Sequence, residues 1–102
     1  MNLLQDSGLS GLPALDYAAL DLEIAELEGL RIRTELMLAL QRYIQEQQWT
    51  LDESARAFRQ SSPRMQNLIN GEISRFSIED LVQMLTKAGL TVDVSVSSHA
   101  AV

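Results

Sequence analysis

Apolar side chains recur at spacings of three and four through most of the chain, and capping residues mark the points where the phase of that recurrence changes. From about Leu15, the series Leu20, Ile24, Leu27 and then Leu36, Leu40, Ile44 keeps helical spacing to about Gln48. Gly29 lies inside this run, where glycine costs about 1 kcal/mol relative to alanine, so the run reads as one bent helix or as two helices broken near Gly29. Thr50-Leu51-Asp52-Glu53 has the form of a capping box and predicts a helix start, with Leu51, Ala55 and Phe58 on its inner face. Arg59-Gln60-Ser61 ends that helix after little more than two turns. Ser61-Ser62-Pro63 restarts one, with a serine N-cap and a proline in the first turn. Met65, Leu68 and Ile69 form its predicted buried stripe, and Asn70-Gly71 closes it. Ser77 caps a last helix with Asp80 at its third position, Phe76 and Leu81 as a hydrophobic staple, and Gly89 at its end.

After Gly89 the period changes from 3.6 to 2. Val92, Val94 and Val96 alternate with Asp93, Ser95 and Ser97, which predicts one β-strand with no second strand in the chain to pair with. The expected fold is therefore all-α, about five helices, with one C-terminal strand paired across a dimer through Val92, Val94 and Val96. Three segments are expected: an acidic, partly helical leader over residues 1–29, a folded domain over 30–97, and a disordered tail over 98–102.

Charge sharpens that division. The net charge is −6, and Asp6, Asp16, Asp21, Glu23, Glu26 and Glu28 carry all of it, because residues 1–30 hold no basic side chain. Residues 31–102 balance 8 basic against 8 acidic groups, and residues 31–75 hold 7 basic to 5 acidic, a mildly favourable surface for phosphate. The chain has no cysteine, which excludes disulfides and thiolate chemistry and fits a reducing compartment. No signal peptide and no run of roughly 20 apolar residues is found, so a soluble cytoplasmic protein without membrane contact is expected.

Two short helices joined by a tight turn within such a bundle form a helix-turn-helix arrangement. The small Ala55 stands where the two helices must cross, with Met65 and Leu68 ten and thirteen positions later to hold the second against the first. The opposite face of the second helix carries Gln66, Asn67 and Asn70, flanked by Arg64. Asn and Gln can pair bidentately with adenine, and Arg with guanine or phosphate. A plainer reading of Arg64 is a surface salt bridge, worth about 0–1 kcal/mol.

Residues 30–96 resemble the lambda-repressor-like, XRE-class helix-turn-helix proteins, and within them the HigA-like antitoxin branch. The resemblance is carried by Thr50, Ala55, Ser61-Ser62-Pro63-Arg64, Leu68-Ile69-Asn70-Gly71, Arg75-Phe76-Ser77 and Gly89-Leu90-Thr91-Val92-Asp93-Val94. It implies a DNA-binding repressor with a five-helix fold, and it adds Thr50, Ser61 and Ser62 to the DNA-binding set. It further implies an antitoxin that represses its own operon and neutralises a basic ribonuclease toxin. Two positions depart from the family's pattern. Leu51 replaces a phosphate-binding glutamine, and Arg59 opens the turn where glycine is usual. A non-glycine in a left-handed conformation costs about 1–2 kcal/mol, which leaves open a differently shaped turn.

Two functional classes follow. The first is a homodimeric regulator reading a palindromic double-stranded operator. The second is a protein-interaction module with little DNA affinity, which the overall acidity, Leu51 and Arg59 favour. No catalytic, metal or cofactor constellation is found: there is no His-x-x-x-His, no glycine-rich phosphate loop and no Ser/His/Asp set. Trp49 reads as a packing residue and His99 as a tail residue.

Overall fold

The computed structural model describes residues 16–98. In chain order it contains α1 (Tyr17–Gln47), α2 (Leu51–Phe58), α3 (Ser62–Ile69), a 3₁₀ turn (Ile73–Arg75) and α4 (Ile78–Lys87). Two features of the expected fold are thereby corrected. Among the described residues there are four α-helices rather than five, because the run around Gly29 is one unbroken helix. The penalty of about 1 kcal/mol for one glycine is small beside the hydrogen bonds that continue through it. There is also no strand: residues 91–98 hold no regular structure and are exposed throughout. Alternation of valines is compatible with a strand, but a strand exists only when a neighbour completes its ladder, and none of the described residues does so.

Local capping chemistry accounts for each helix boundary. Asp16 accepts from the Ala19 N–H (3.1 Å) and starts α1. Thr50 Oγ1 accepts from the Glu53 N–H (3.1 Å) while the Glu53 carboxylate accepts from the Thr50 N–H (2.8 Å), a complete capping box. Ser61 Oγ accepts from the Arg64 N–H (3.2 Å) to start α3, with Pro63 in its first turn. Ser77 and Asp80 repeat the reciprocal box at α4, with distances of 2.9 and 3.0 Å. Gly71 takes the left-handed conformation (φ 77°) that lets the chain leave α3 after Asn70.

The core lies where the last third of α1 meets α2, α3 and α4. Leu40, Phe58, Met65, Leu68, Phe76, Leu81 and Met84 are its fully buried members, and Met37, Ile44, Ala55 and Leu85 complete it. Tyr43, Trp49 and Phe58 form two edge-to-face contacts, with ring centroids 5.6 and 5.8 Å apart, which fasten the end of α1 to α2. Trp49 is thus a packing residue. Ser54, the buried polar side chain, donates its hydroxyl to the Thr50 carbonyl (2.8 Å) and leaves no unpaired group inside. Ile69 departs from its expected place in the buried stripe and is exposed.

The turn between α2 and α3 keeps the left-handed form. Arg59 sits at φ 55°, ψ 47°, and its N–H still donates back to α2. The backbone strain of a side chain in that conformation is thus accepted rather than avoided by a different turn. Arg59→Gly should therefore raise stability by about 1 kcal/mol, read as a higher urea midpoint at unchanged slope.

Residues 17–28, the first part of α1, are exposed throughout and bury nothing against the other described residues. The buried residues of α1 are Met37, Leu40 and Ile44, so the helix before them projects from the core as an arm, and the molecule measures 70 × 31 × 19 Å. Residues 1–15 of the acidic leader and residues 99–102 of the tail lie outside the described residues.

Candidate nucleic-acid interface

α3 is amphipathic about a simple division. At 100° per residue, Met65 and Leu68 point to one side and are fully buried, which leaves Pro63, Gln66, Asn67 and Asn70 on the other. Gln66 and Asn70 are exposed and Asn67 is half-buried. The Gln66 Nε2 donates to Asn70 Oδ1 (2.9 Å), one helical turn on, so the two amides stand as a linked pair with a carbonyl and an NH₂ still available. Asn67 sits beside them, and its backbone carbonyl accepts from the Glu72 N–H (3.0 Å).

The other expected site residues fall into two groups. Thr50, Ser61 and Ser62 lie at the starts of α2 and α3, which a long hydrogen bond from Ser62 Oγ to Asp52 Oδ1 (3.4 Å) ties together. With Arg56, Arg59 and Gln60, residues Asp52, Ser61 and Ser62 line an open depression along the turn. Arg64 stands apart. Its guanidinium forms an ion pair with Asp80 (3.1 Å), donates to the Arg75 carbonyl (3.2 Å) and lies 4.3 Å from the centre of the Phe76 ring. Three partners at once make it a brace between the start of α3 and the start of α4.

Sequence reasoning passed over one positioning residue. Gln41, on α1, donates its Nε2 to the Leu68 carbonyl (2.9 Å) and so anchors the C-terminal end of α3. Twenty-seven positions separate the two, and no local pattern signals a contact of that range. Val92, Val94 and Val96, expected at a dimer interface, are exposed, and Val92 and Val94 border a groove with Ile32 and Leu36 of α1 and Ile78 and Val82 of α4.

A family model described as a helix-turn-helix domain matches residues 18–97. The chain belongs to that family. No curated protein matches it. The matched span begins on the arm of α1. A helix-turn-helix domain suggests a DNA-binding regulator. Among the described residues no helix is long and apolar enough to cross a membrane.

The two capping boxes make the helix-turn-helix acid-sensitive in a defined direction. Accepting the Thr50 N–H holds the Glu53 carboxyl below its ordinary 4.5. Accepting the Ser77 N–H, with help from Arg64, holds the Asp80 carboxyl below its ordinary 3.8. Because the folded values are the lower ones, this stabilisation is complete above the ordinary values. It is lost as pH falls through the depressed ones. The urea midpoint should therefore decline below about pH 4, and Asp80→Asn should flatten that decline while lowering stability at neutral pH. An equally steep decline in the variant would assign the acid sensitivity to other carboxylates.

Proposed function

We propose that this helix-turn-helix chain is a sequence-specific regulator that reads double-stranded DNA as a homodimer. The single observation that carries this reading is the exposed amide face of α3, Gln66, Asn67 and Asn70, set opposite fully buried Met65 and Leu68. Amide side chains match the donor and acceptor pair that adenine presents in the major groove. Exposed Ile69 on the edge of that face suits a thymine methyl group. Thr50, Ser61 and Ser62 serve phosphate contacts, together with Arg56 and Arg59 beside the turn. Arg64 acts in this scheme by holding α3 at its angle rather than by touching DNA.

Affinity for duplex DNA as a function of salt tests the reading. Neutralisation of phosphates by Arg56 and Arg59 of each subunit, about four in a dimer, predicts that log K falls with log salt at a slope of about −3.6. A flat response would support the second reading, a protein-interaction module with little DNA affinity. The observation favouring that alternative is the pair of carboxylates, Asp52 and Glu53, in the first turn of α2 beside Ser62.

Within the first reading, the resemblance of residues 30–96 to XRE-class, HigA-like antitoxins supports a narrower role. The chain would repress its own operon and neutralise a small basic ribonuclease encoded beside it. Growth arrest by the neighbouring reading frame's product, relieved by co-expression of this chain, is the result expected. A neighbour that is harmless when expressed alone would remove that role and leave DNA binding untouched.

A further inference from the structure

The arm of α1 presents an apolar face that the other described residues leave uncovered. Tyr17, Leu20, Ile24, Leu27 and Leu38 are all exposed, at 67, 43, 51, 65 and 48% of their full accessible surface. Their spacing continues through Arg31 and Thr34 as an unbroken alternation of three and four, so all seven share one stripe along the helix. The stripe points away from the core, because Met37, Leu40 and Ile44 occupy nearly the opposite side of the same helix. A helical segment of about twenty residues with no packed face is marginal in water, and Gly29 weakens it further. Something outside this chain's own core must cover it.

The charge along the arm says what. Residues 16–28 carry Asp16, Asp21, Glu23, Glu26 and Glu28 without a basic group, whereas residues 31–43 carry Arg31, Arg33 and Arg42 against one acid, Glu35. Two copies side by side in parallel would set acid against acid. Two copies in antiparallel set each acidic half on the other's basic half.

We propose that the Tyr17–Leu38 stripe of α1 pairs antiparallel with the same stripe of a second copy of this chain, about a two-fold axis near Gly29. Leu20 then meets Leu38 of the second copy, Ile24 meets Thr34, Leu27 packs along the aliphatic stem of Arg31, and Asp16 faces Arg42. Leu38 and Arg42 are exposed, so the core does not obstruct the incoming arm. The groove bordered by Arg31, Glu35, Val92 and Val94 runs beside the same face and adds apolar surface at its edge. At 1.5 Å per residue the paired face is about 40 Å long and about 11 Å wide, roughly 900 Å² in plan over both copies. That is close to the lower bound of about 1,000 Å² for a specific interface, so a micromolar dimer is expected. The proposal rests on the homodimer reading above for the identity of its partner. It is tested without DNA, so failure to pair and failure to bind DNA are separate results.

Because the chain has no cysteine, orientation can be read directly by disulfide trapping of the full-length protein. Leu20→Cys and Leu38→Cys chains, mixed and oxidised mildly, should form a mixed disulfide dimer, while either variant alone should form none. Sedimentation of the unmodified chain should show dimers at tens of micromolar. Ile24→Glu with Leu27→Glu should weaken them at least about tenfold. Arg42→Asp should weaken pairing about three- to tenfold and Asp16→Arg by more, since it also removes the N-cap of α1, and the doubly substituted chain should pair more tightly than the Asp16→Arg chain, which loss of arm helicity could not produce. Three results would overturn the proposal: a monomer throughout that concentration range, a dimer that yields no mixed disulfide, or a Leu20→Cys chain that crosslinks to itself. The last would mean parallel pairing, and the first would leave the arm to a different protein.

Discussion

Replacing Phe58 by alanine should cost about 3–5 kcal/mol of folding stability. Phe58 is fully buried, stacks edge-on against Trp49, and is the last residue of α2, one position before the turn that launches α3. Removing its ring opens a cavity among Leu40, Met65, Leu68 and Leu81, whose helices cannot close on the gap without displacing one another. A domain of this size has only about 5–15 kcal/mol of stability in total, so the loss is a large fraction of it. The urea midpoint should fall by more than about 1.5 M at a slope near 2 kcal/mol per M. A loss under about 1 kcal/mol would mean that the ring is not the packing centre of this core.

How much of this architecture is legible without coordinates depends on the range of the interaction concerned. The starts of α2, α3 and α4 are written locally: Thr50 with Glu53, Ser61 with Pro63, and Ser77 with Asp80 each satisfy orphan N–H groups within three residues, and each forms as expected. The helix-turn-helix pair is legible for the same reason. Gly29 and the valine alternation after Gly89 are weaker signals. A single glycine does not end a helix, and the phase of Val92, Val94 and Val96 cannot say whether a partner strand exists. The apolar character of Ile69 points it inward, yet its angular position puts it on the edge of α3, where size and identity do not decide burial. Arg64 shows the limit most clearly. Its residue type fits both a phosphate and a carboxylate, and only the fold brings Asp80, sixteen positions on, and the Phe76 ring against it.

The largest functional effects should come from the amide face of α3. If Gln66 and Asn67 face base edges, Gln66→Ala and Asn67→Ala should each relax preference at a different operator position by about 1–3 kcal/mol, or up to roughly a hundredfold. Affinity for random duplex should stay nearly unchanged, because that term comes from phosphate contacts elsewhere. Neither substitution should unfold the domain: Gln66 is exposed and Asn67 lies on the face opposite the core. Arg64→Ala should behave differently. It releases the brace on Asp80 and Phe76, and should lower stability and weaken all sequences together.

Selection of binding sites from a random duplex library, run in parallel with the unmodified chain and with Gln66→Ala and Asn67→Ala, decides whether α3 reads base sequence. A two-fold symmetric motif is expected for the unmodified chain, with information lost at one separate position per half-site in each variant. Equal, sequence-independent losses in both variants, or no enriched motif for the unmodified chain, would contradict that role.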